Sequence, residues 1–285
     1  MITPKTLVNE SIKLVSLPDI YVSLNNVLKN PDFSMSDVAM VIGHDPALTT
    51  RLLKIVNSPF YGLVSHVDSI THAINLLGTQ QVHDLALATS IVNSFSGFHN
   101  DIISMYDFWF KSVYCAVSSQ LLAYHYKDID TERPFVAGLL HDIGHLVMYQ
   151  EIPDQSRPTI SLAKEKGIEL YLAERELLGF DYAQVGAELM RVWALPESLQ
   201  QVTEFQNEPD KVDQFSLETA IIHMAAILAR AAISKQEITK DSLPINPVCW
   251  EITGLSADIL PLVKQEADQQ VVMAMDLLVS KTKQS

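Results

Sequence analysis

The chain is poor in cysteine and in positive charge, and it has no apolar run long enough to span a bilayer. Its two cysteines, Cys115 and Cys249, each sit among apolar or aromatic neighbours, and neither belongs to a Cys-x-x-Cys pair. The expectation is two buried thiols in a reducing cytoplasm rather than a disulfide. Only 20 Lys and Arg stand against 34 Asp and Glu, a formal net charge of −14 with a sequence pI near 4.9. Phosphate backbones and anionic membrane surfaces are repelled by such a surface, and no local basic patch offsets it, so neither nucleic acid nor membrane is an expected partner. Lys164-Glu165-Lys166 reads as solvated helix surface. Met1 to Glu10 has no apolar segment of the signal-peptide kind. The longest apolar stretch, Ala220 to Ala229, is interrupted by His223 and falls short of the roughly 20 residues a membrane helix needs. There is no Gly-rich phosphate loop, no nucleophile elbow, no internal repeat and no low-complexity linker.

What is present is a core. Of 285 residues, 48% are hydrophobic and 19% charged, enough for one large domain or two closely packed ones. Period-two alternation hardly appears, whereas i, i+3, i+4 spacing recurs throughout, so the fold class is all-α. Leu17-Pro18-Asp19 ends a first element. Ser36 is a candidate N-cap. Asp45-Pro46 opens a helix carrying Leu48, Leu52, Leu53 and Val56 on one face, stopped at Asn57-Ser58-Pro59. Ser69 opens another, with Ala73, Leu76 and Leu77 inward and Gly78 at its end. Helices are expected from Gln80 to about Phe95, from Asp107 through Tyr124, and from Pro134 to about Tyr149. Others are expected over Ser161–Leu178, Tyr182–Trp193, Pro196–Phe205 and Ser216–Ile233, with a last one from about Ala257 to Val279 after a Leu243–Pro247 loop. The division expected is 1–98, an N-terminal helical part, then 99–235, a helical core, then 236–285, a C-terminal helical extension, with the junction near Gly97–Asp101.

The most informative segment is Ala137-Gly138-Leu139-Leu140-His141-Asp142-Ile143-Gly144-His145. On a helix, Leu139, Leu140, Ile143, Leu146 and Val147 share a face. His141, Asp142 and His145 lie opposite, with Ala137 and Gly138, whose small size lets a neighbouring helix approach. Adjacent His and Asp can reach one metal ion from such a seam, although a site needs three or four ligands. A second His-Asp pair, His83-Asp84, has no obvious site around it. His66 and His72 around Asp68 read as exposed positions at a helix start. Met35, Met40, Met273 and Met275 read as core filler, and Trp109, Trp193 and Trp250 as core anchors.

The ordered set Leu17-Pro18, Asp45-Pro46-Ala47-Leu48, Leu53, Asn57-Ser58, Tyr61-Gly62, Ser69-Ile70, Ala73-Ile74, Leu77-Gly78, Phe108-Trp109, Ser112, Ala137 to Gly144, Val185-Gly186-Ala187 and Trp193-Ala194-Leu195-Pro196 resembles the HDOD family over roughly residues 13 to 230. That family belongs to the HD superfamily and is related to HD-GYP domains. The resemblance implies an N-terminal helical subdomain packed on an HD-like helical core. It also exposes departures. The place of an earlier ligand histidine, just before Ser112, holds Lys111, and a later one falls at Tyr182. A histidine pair falls near Glu204-Phe205. The late aspartate after His223-Met224-Ala225 is Ala226. The residue after Gly144, commonly lysine in the related catalytic domains, is His145.

Only His141 and Asp142 of the catalytic set remain, so no catalytic residue and no cofactor is expected. His141, Asp142, His145 and Lys111 would form a vestigial pocket. The implied function is a non-catalytic signalling module of bacterial signal transduction, acting on protein partners in trans. The alternative is a metal-dependent phosphohydrolase built from His141, Asp142, His145 and a carboxylate such as Glu204, with a divalent ion. A nucleotide held in the pocket, its phosphate on Lys111, is a third reading.

Overall fold

The computed structural model describes residues 2–11, 19–58, 63, 65–95, 98, 100–126, 132–236, 238 and 242–279. Among them every regular element is helical. The Leu17-Pro18 and Tyr61-Gly62 motifs, Pro59 and Gly97 lie outside the described residues. The chain divides into two compact units, one of Met1–Leu14 with His99–Asp268, the other of Val15–Phe98 with Gln269–Ser285.

The second unit contains α2 (Asp19–Leu28), α3 (Met35–Gly43), α4 (Pro46–Val56), α5 (Ile70–Leu77) and α6 (Thr79–Ser94). Local chemistry sets the boundaries. Asp45 accepts from the Ala47 and Leu48 amides, and Pro46 occupies the first turn of α4. Ser69 caps α5 and Gly78, at φ 98°, ends it. The cap of α3 is Ser34, not Ser36: Ser34 and Asp37 form a reciprocal capping box that starts the helix two residues earlier. Inward residues differ in detail. Leu48, Leu52, Ile55 and Val56 are buried in α4, while in α5 Ile70, Ala73 and Ile74 are buried and Leu76 is exposed. Asn57 closes the turn after α4. Its side-chain amide donates to the Leu53 and Val67 carbonyls at 2.8 and 2.7 Å, and its oxygen accepts from the Val67 amide at 2.7 Å. Met35 and Met40 are surface residues rather than core filler, at 49% and 60% exposure, because α3 turns Val38 and Ile42 inward.

The first unit holds α1 (Pro4–Ser11), α7 (Met105–Ala123), α8 (Glu132–Leu140), α9 (Ile143–Glu151), α10 (Pro153–Lys166), α11 (Leu170–Leu178), α12 (Tyr182–Val192), α13 (Glu197–Phe205), α14 (Ser216–Ile233) and α15 (Pro247–Thr253). The last helix, α16, spans Ile259–Leu278. Two expected helices are each split: Gly167, at φ 62°, separates α10 from α11, and a turn at His141-Asp142 separates α8 from α9. A further helix, α15, capped by Asn246, forms between the expected Leu243–Pro247 loop and the expected last helix. Contrary to the expectation that no apolar run is long enough, α14 has the length and apolar composition to cross a membrane, the one described helix that does, because the buried His223 does not interrupt its 18 residues. Two-thirds of it is buried in this unit, against α7, α8, α13 and α15. Both cysteines are buried and unpaired. Trp109 and Trp193 are buried, whereas Trp250 is only half-buried. Met275 is buried, but Met273 is 39% exposed.

Candidate functional site

The site grows out of a helix break. Residues 134–149 do not form one helix: α8 ends at Leu140, His141 and Asp142 make a turn, and α9 begins at Ile143. Breaking the helix frees the His141 carbonyl, which Gln206 takes through its side-chain amide at 2.7 Å. Asp142 stands at the N-cap of α9, yet its side chain makes no cap bond. Its carboxylate is directed sideways instead.

Two glycines bring the neighbouring helices in. A Cβ on Gly138 would lie 2.6 Å from Ser119 Oγ and 2.8 Å from the Ala116 Cα on α7. A Cβ on Gly144 would lie 2.6 Å from the Gly186 nitrogen on α12 and closer still to the Tyr182 carbonyl oxygen. Only glycine fits such distances. The small-residue seam expected from sequence is therefore present, with α7 on one side of the break and α12 on the other.

Within the seam lies a row of four charged side chains. Lys111 Nζ, from α7, pairs with Asp142 Oδ2. Asp142 Oδ1 lies 2.9 Å from His145 Nδ1, and His145 Nε2 lies 3.0 Å from Glu174 Oε1 on α11. Glu174 Oε2 accepts the Tyr182 backbone amide at 3.0 Å. Asp142, His145 and Glu174 are 2%, 4% and 0% exposed at the side chain, while Lys111 is 23% exposed. Two rings stack on the imidazole of His145, Tyr182 at 4.0 Å and Tyr149 at 5.2 Å between centroids, both nearly parallel.

Electrostatics follow from this order. Burial works to lower the His145 pKa, but the Asp142 and Glu174 carboxylates overturn it and push it up to about 9. His145 is thus an imidazolium at neutral pH. Burial works to raise Asp142, but the Lys111 ammonium and His145 hold it well below the usual carboxylate range. His141 behaves in the opposite way. Burial brings it down to about 4, against the pull of Asp142, so it is neutral. Its Nδ1 donates to the Gly138 carbonyl at 2.6 Å.

These residues do not fit a divalent ion. Both Asp142 oxygens and both His145 nitrogens are engaged, and a protonated imidazole has no lone pair to give. Lys111 stands against the carboxylate a metal would need. Two unit charges about 4 Å apart at an effective dielectric of about 20 interact by about 4 kcal/mol, and a divalent ion beside an ammonium doubles that repulsion. Among the described residues no three His, Cys, Asp or Glu side chains converge so as to hold a metal ion. Glu204, the carboxylate expected to complete a metal set, instead pairs with the half-exposed Arg191. Ala226 is buried on α14 and offers no ligand.

The HDOD domain model matches residues 14–209. The chain belongs to the HDOD domain family. A solved HDOD domain protein of unknown function from Geobacter sulfurreducens is 23% identical, superposes with a TM-score of 0.72, and the match covers 96% of this chain and 98% of that one. A Shewanella amazonensis SB2B protein with a provisional phosphohydrolase name is 26% identical over 96% of this chain and 97% of its own, also at TM-score 0.72. A Marinobacter aquaeolei VT8 protein, provisionally named for signal transduction, is 22% identical at TM-score 0.72, and the match covers 98% of this chain and 61% of that one. An uncharacterized Treponema pallidum protein is 24% identical over 181 residues, and this chain spans 35% of its length.

Of the four residues singled out in the sequence, Lys111 and His145 both pair with Asp142, whereas the His141 side chain turns to the Gly138 carbonyl. Sequence reasoning missed Glu174, which sits in the charged run Glu174-Arg175-Glu176 but falls four residues after Leu170, beside Ala173, on the inward stripe of α11. It also left Gln206 unremarked. In the other unit, His83-Asp84 is a buried pair: His83 Nδ1 lies 2.9 Å from Asp84 Oδ1, which also accepts from Gln80, and the Tyr21 ring packs on the imidazole at 5.1 Å. His66 is exposed and His72 pairs loosely with Asp68 at 3.5 Å.

Proposed function

We propose that this HDOD domain is a non-catalytic regulatory module of signal transduction, working in the cytoplasm through contacts with protein partners and without a metal or other cofactor. One observation carries the reading. Asp142, the carboxylate the HD superfamily would use for metal, has both oxygens committed to cations of the chain itself, Lys111 and His145. A carboxylate so placed is a structural ion-pair member rather than a ligand. The signal-transduction name of the Marinobacter relative agrees with this use of the fold. The acidic surface, at a net charge of −14, favours protein partners over nucleic acid.

The phosphohydrolase name of the Shewanella relative supplies the competing reading. The two part in one experiment. Cells lacking the protein are complemented with wild type or with His141→Gln, and purified protein is incubated with manganese, iron or zinc and a panel of phosphoesters. The regulatory reading expects equal complementation and no hydrolysis. Metal-dependent hydrolysis abolished by His141→Gln, together with failed complementation by that folded variant, overturns it.

A further inference from the structure

We infer that the Lys111 ε-ammonium is the resident cation of this site: it takes the place of a bound metal, and the folded seam between α7, α9 and α11 depends on a positive charge at that point. The inference rests on the non-catalytic reading and says what the rewired site does instead. Charge counting within the seam motivates it. Two buried carboxylates, Asp142 and Glu174, share one imidazolium at His145. One negative charge is left over, and a buried carboxylate without a counter-charge is strongly unfavourable. Lys111 supplies that charge at Asp142 Oδ2. His141, with its Nδ1 hydrogen-bonded to Gly138, does not contribute. The row is then neutral, with alternating signs, from Lys111 to Glu174.

Two further features make the ammonium a substitute ion rather than an ordinary surface pair. It addresses a carboxylate that is 2% exposed, so the pairing is shielded from solvent screening at that end. Its own side chain is 23% exposed, so the cation position can be reached from solvent once the lysine is shortened. Lys111 also occupies the position where the family resemblance places a ligand histidine, directly before Ser112.

The test is chemical rescue. Lys111→Ala removes a propylammonium fragment, and its thermal midpoint is measured with propylammonium chloride, then with tetramethylammonium chloride at equal ionic strength. The bulky cation cannot enter or donate a hydrogen bond. The variant is expected to lose roughly 5 °C or more, since breaking a buried pair is costly and each kcal/mol moves a domain of this size by about 2–4 °C. Propylammonium is expected to restore at least half of that loss and tetramethylammonium none. No loss in the variant, or equal responses to the two salts, overturns the inference. If Lys111→Ala does not fold, Lys111→Arg and Lys111→Gln decide: the arginine variant must be the more stable, and equality or the reverse order overturns it. Stoichiometric manganese uptake by wild-type protein at Asp142 also overturns it. The non-catalytic reading falls separately, on phosphoester hydrolysis, so the two failures cannot be confused.

Discussion

Changing His145 to glutamine tests the charged row at its centre. In the folded chain the imidazole keeps its proton up to about pH 9, because two buried carboxylates hold it there. In the unfolded chain it releases that proton near 6.5. Between those values the folded state binds more protons than the unfolded state, so raising the pH favours unfolding. The stabilisation is complete below pH 6.5 and is lost as the pH climbs through 9. A separation of about 2.5 pH units, at about 1.36 kcal/mol per unit, sets its size at roughly 3 kcal/mol. The assay is guanidinium unfolding followed by tryptophan fluorescence. All three tryptophans, Trp109, Trp193 and Trp250, lie within His99–Asp268, so the signal reports the unit that contains the site. Wild type is expected to exceed His145→Gln by about 3 kcal/mol at pH 6.5, and the gap is expected to close by pH 9. A gap that stays constant or widens over that range would refute the ionised-histidine account.

Other perturbations separate the remaining claims. On the acid side, burial keeps His141 neutral down to about pH 4, so wild-type stability falls as pH drops from 6.5 towards 4, and His141→Asn shows a shallower fall in calorimetric midpoint. Gly144→Ala places a Cβ against the backbone of Tyr182 and Gly186 and is expected to cost about 3 kcal/mol or more in the same fluorescence assay. Gly43→Ala, with nothing within 4 Å of the added carbon, is expected to be neutral or to stabilise by up to about 1 kcal/mol. Asn57→Ala removes three hydrogen bonds that tie Leu53 and Val67 together. Hydrogen exchange at the Val67 amide should then quicken by about tenfold or more, corresponding to at least about 1.4 kcal/mol of lost protection.

Much of the fold was legible because helix ends are written locally. Asp45-Pro46 and Ser69 with Gly78 each carry their own capping chemistry, and the boundaries of α14 coincide with the apolar run Ser216–Ile233. The break at His141-Asp142 was not legible, for a physical reason. Every residue from Phe135 to Tyr149 is buried, so apolar spacing has no solvent face against which a change of phase could show. Met40 misled in the other direction, since a methionine's type says little about which side of a short helix meets solvent. Glu174 was hidden by its company. A glutamate beside an arginine, in a run of alternating charges, normally lies on the surface, and the burial of Glu174 depends on a partner 29 residues away.

The relation between positions 111 and 145 gives the site its sense. The family resemblance expects histidine at 111 and lysine at 145; this chain has lysine at 111 and histidine at 145. Both side chains meet Asp142, one at each carboxylate oxygen. Had the ligands simply been lost at random, the buried carboxylate would be left uncompensated, a condition that costs several kcal/mol. Instead a lysine supplies fixed charge where the resemblance places a histidine. An imidazole, able to donate from two nitrogens, bridges to Glu174 where a lysine would have offered a single flexible end. The flat ring also stacks on Tyr149 and Tyr182, contacts that favour a planar cation. The two pairings close the seam with the chain's own charges around the His-Asp turn and its glycine-lined helix contacts.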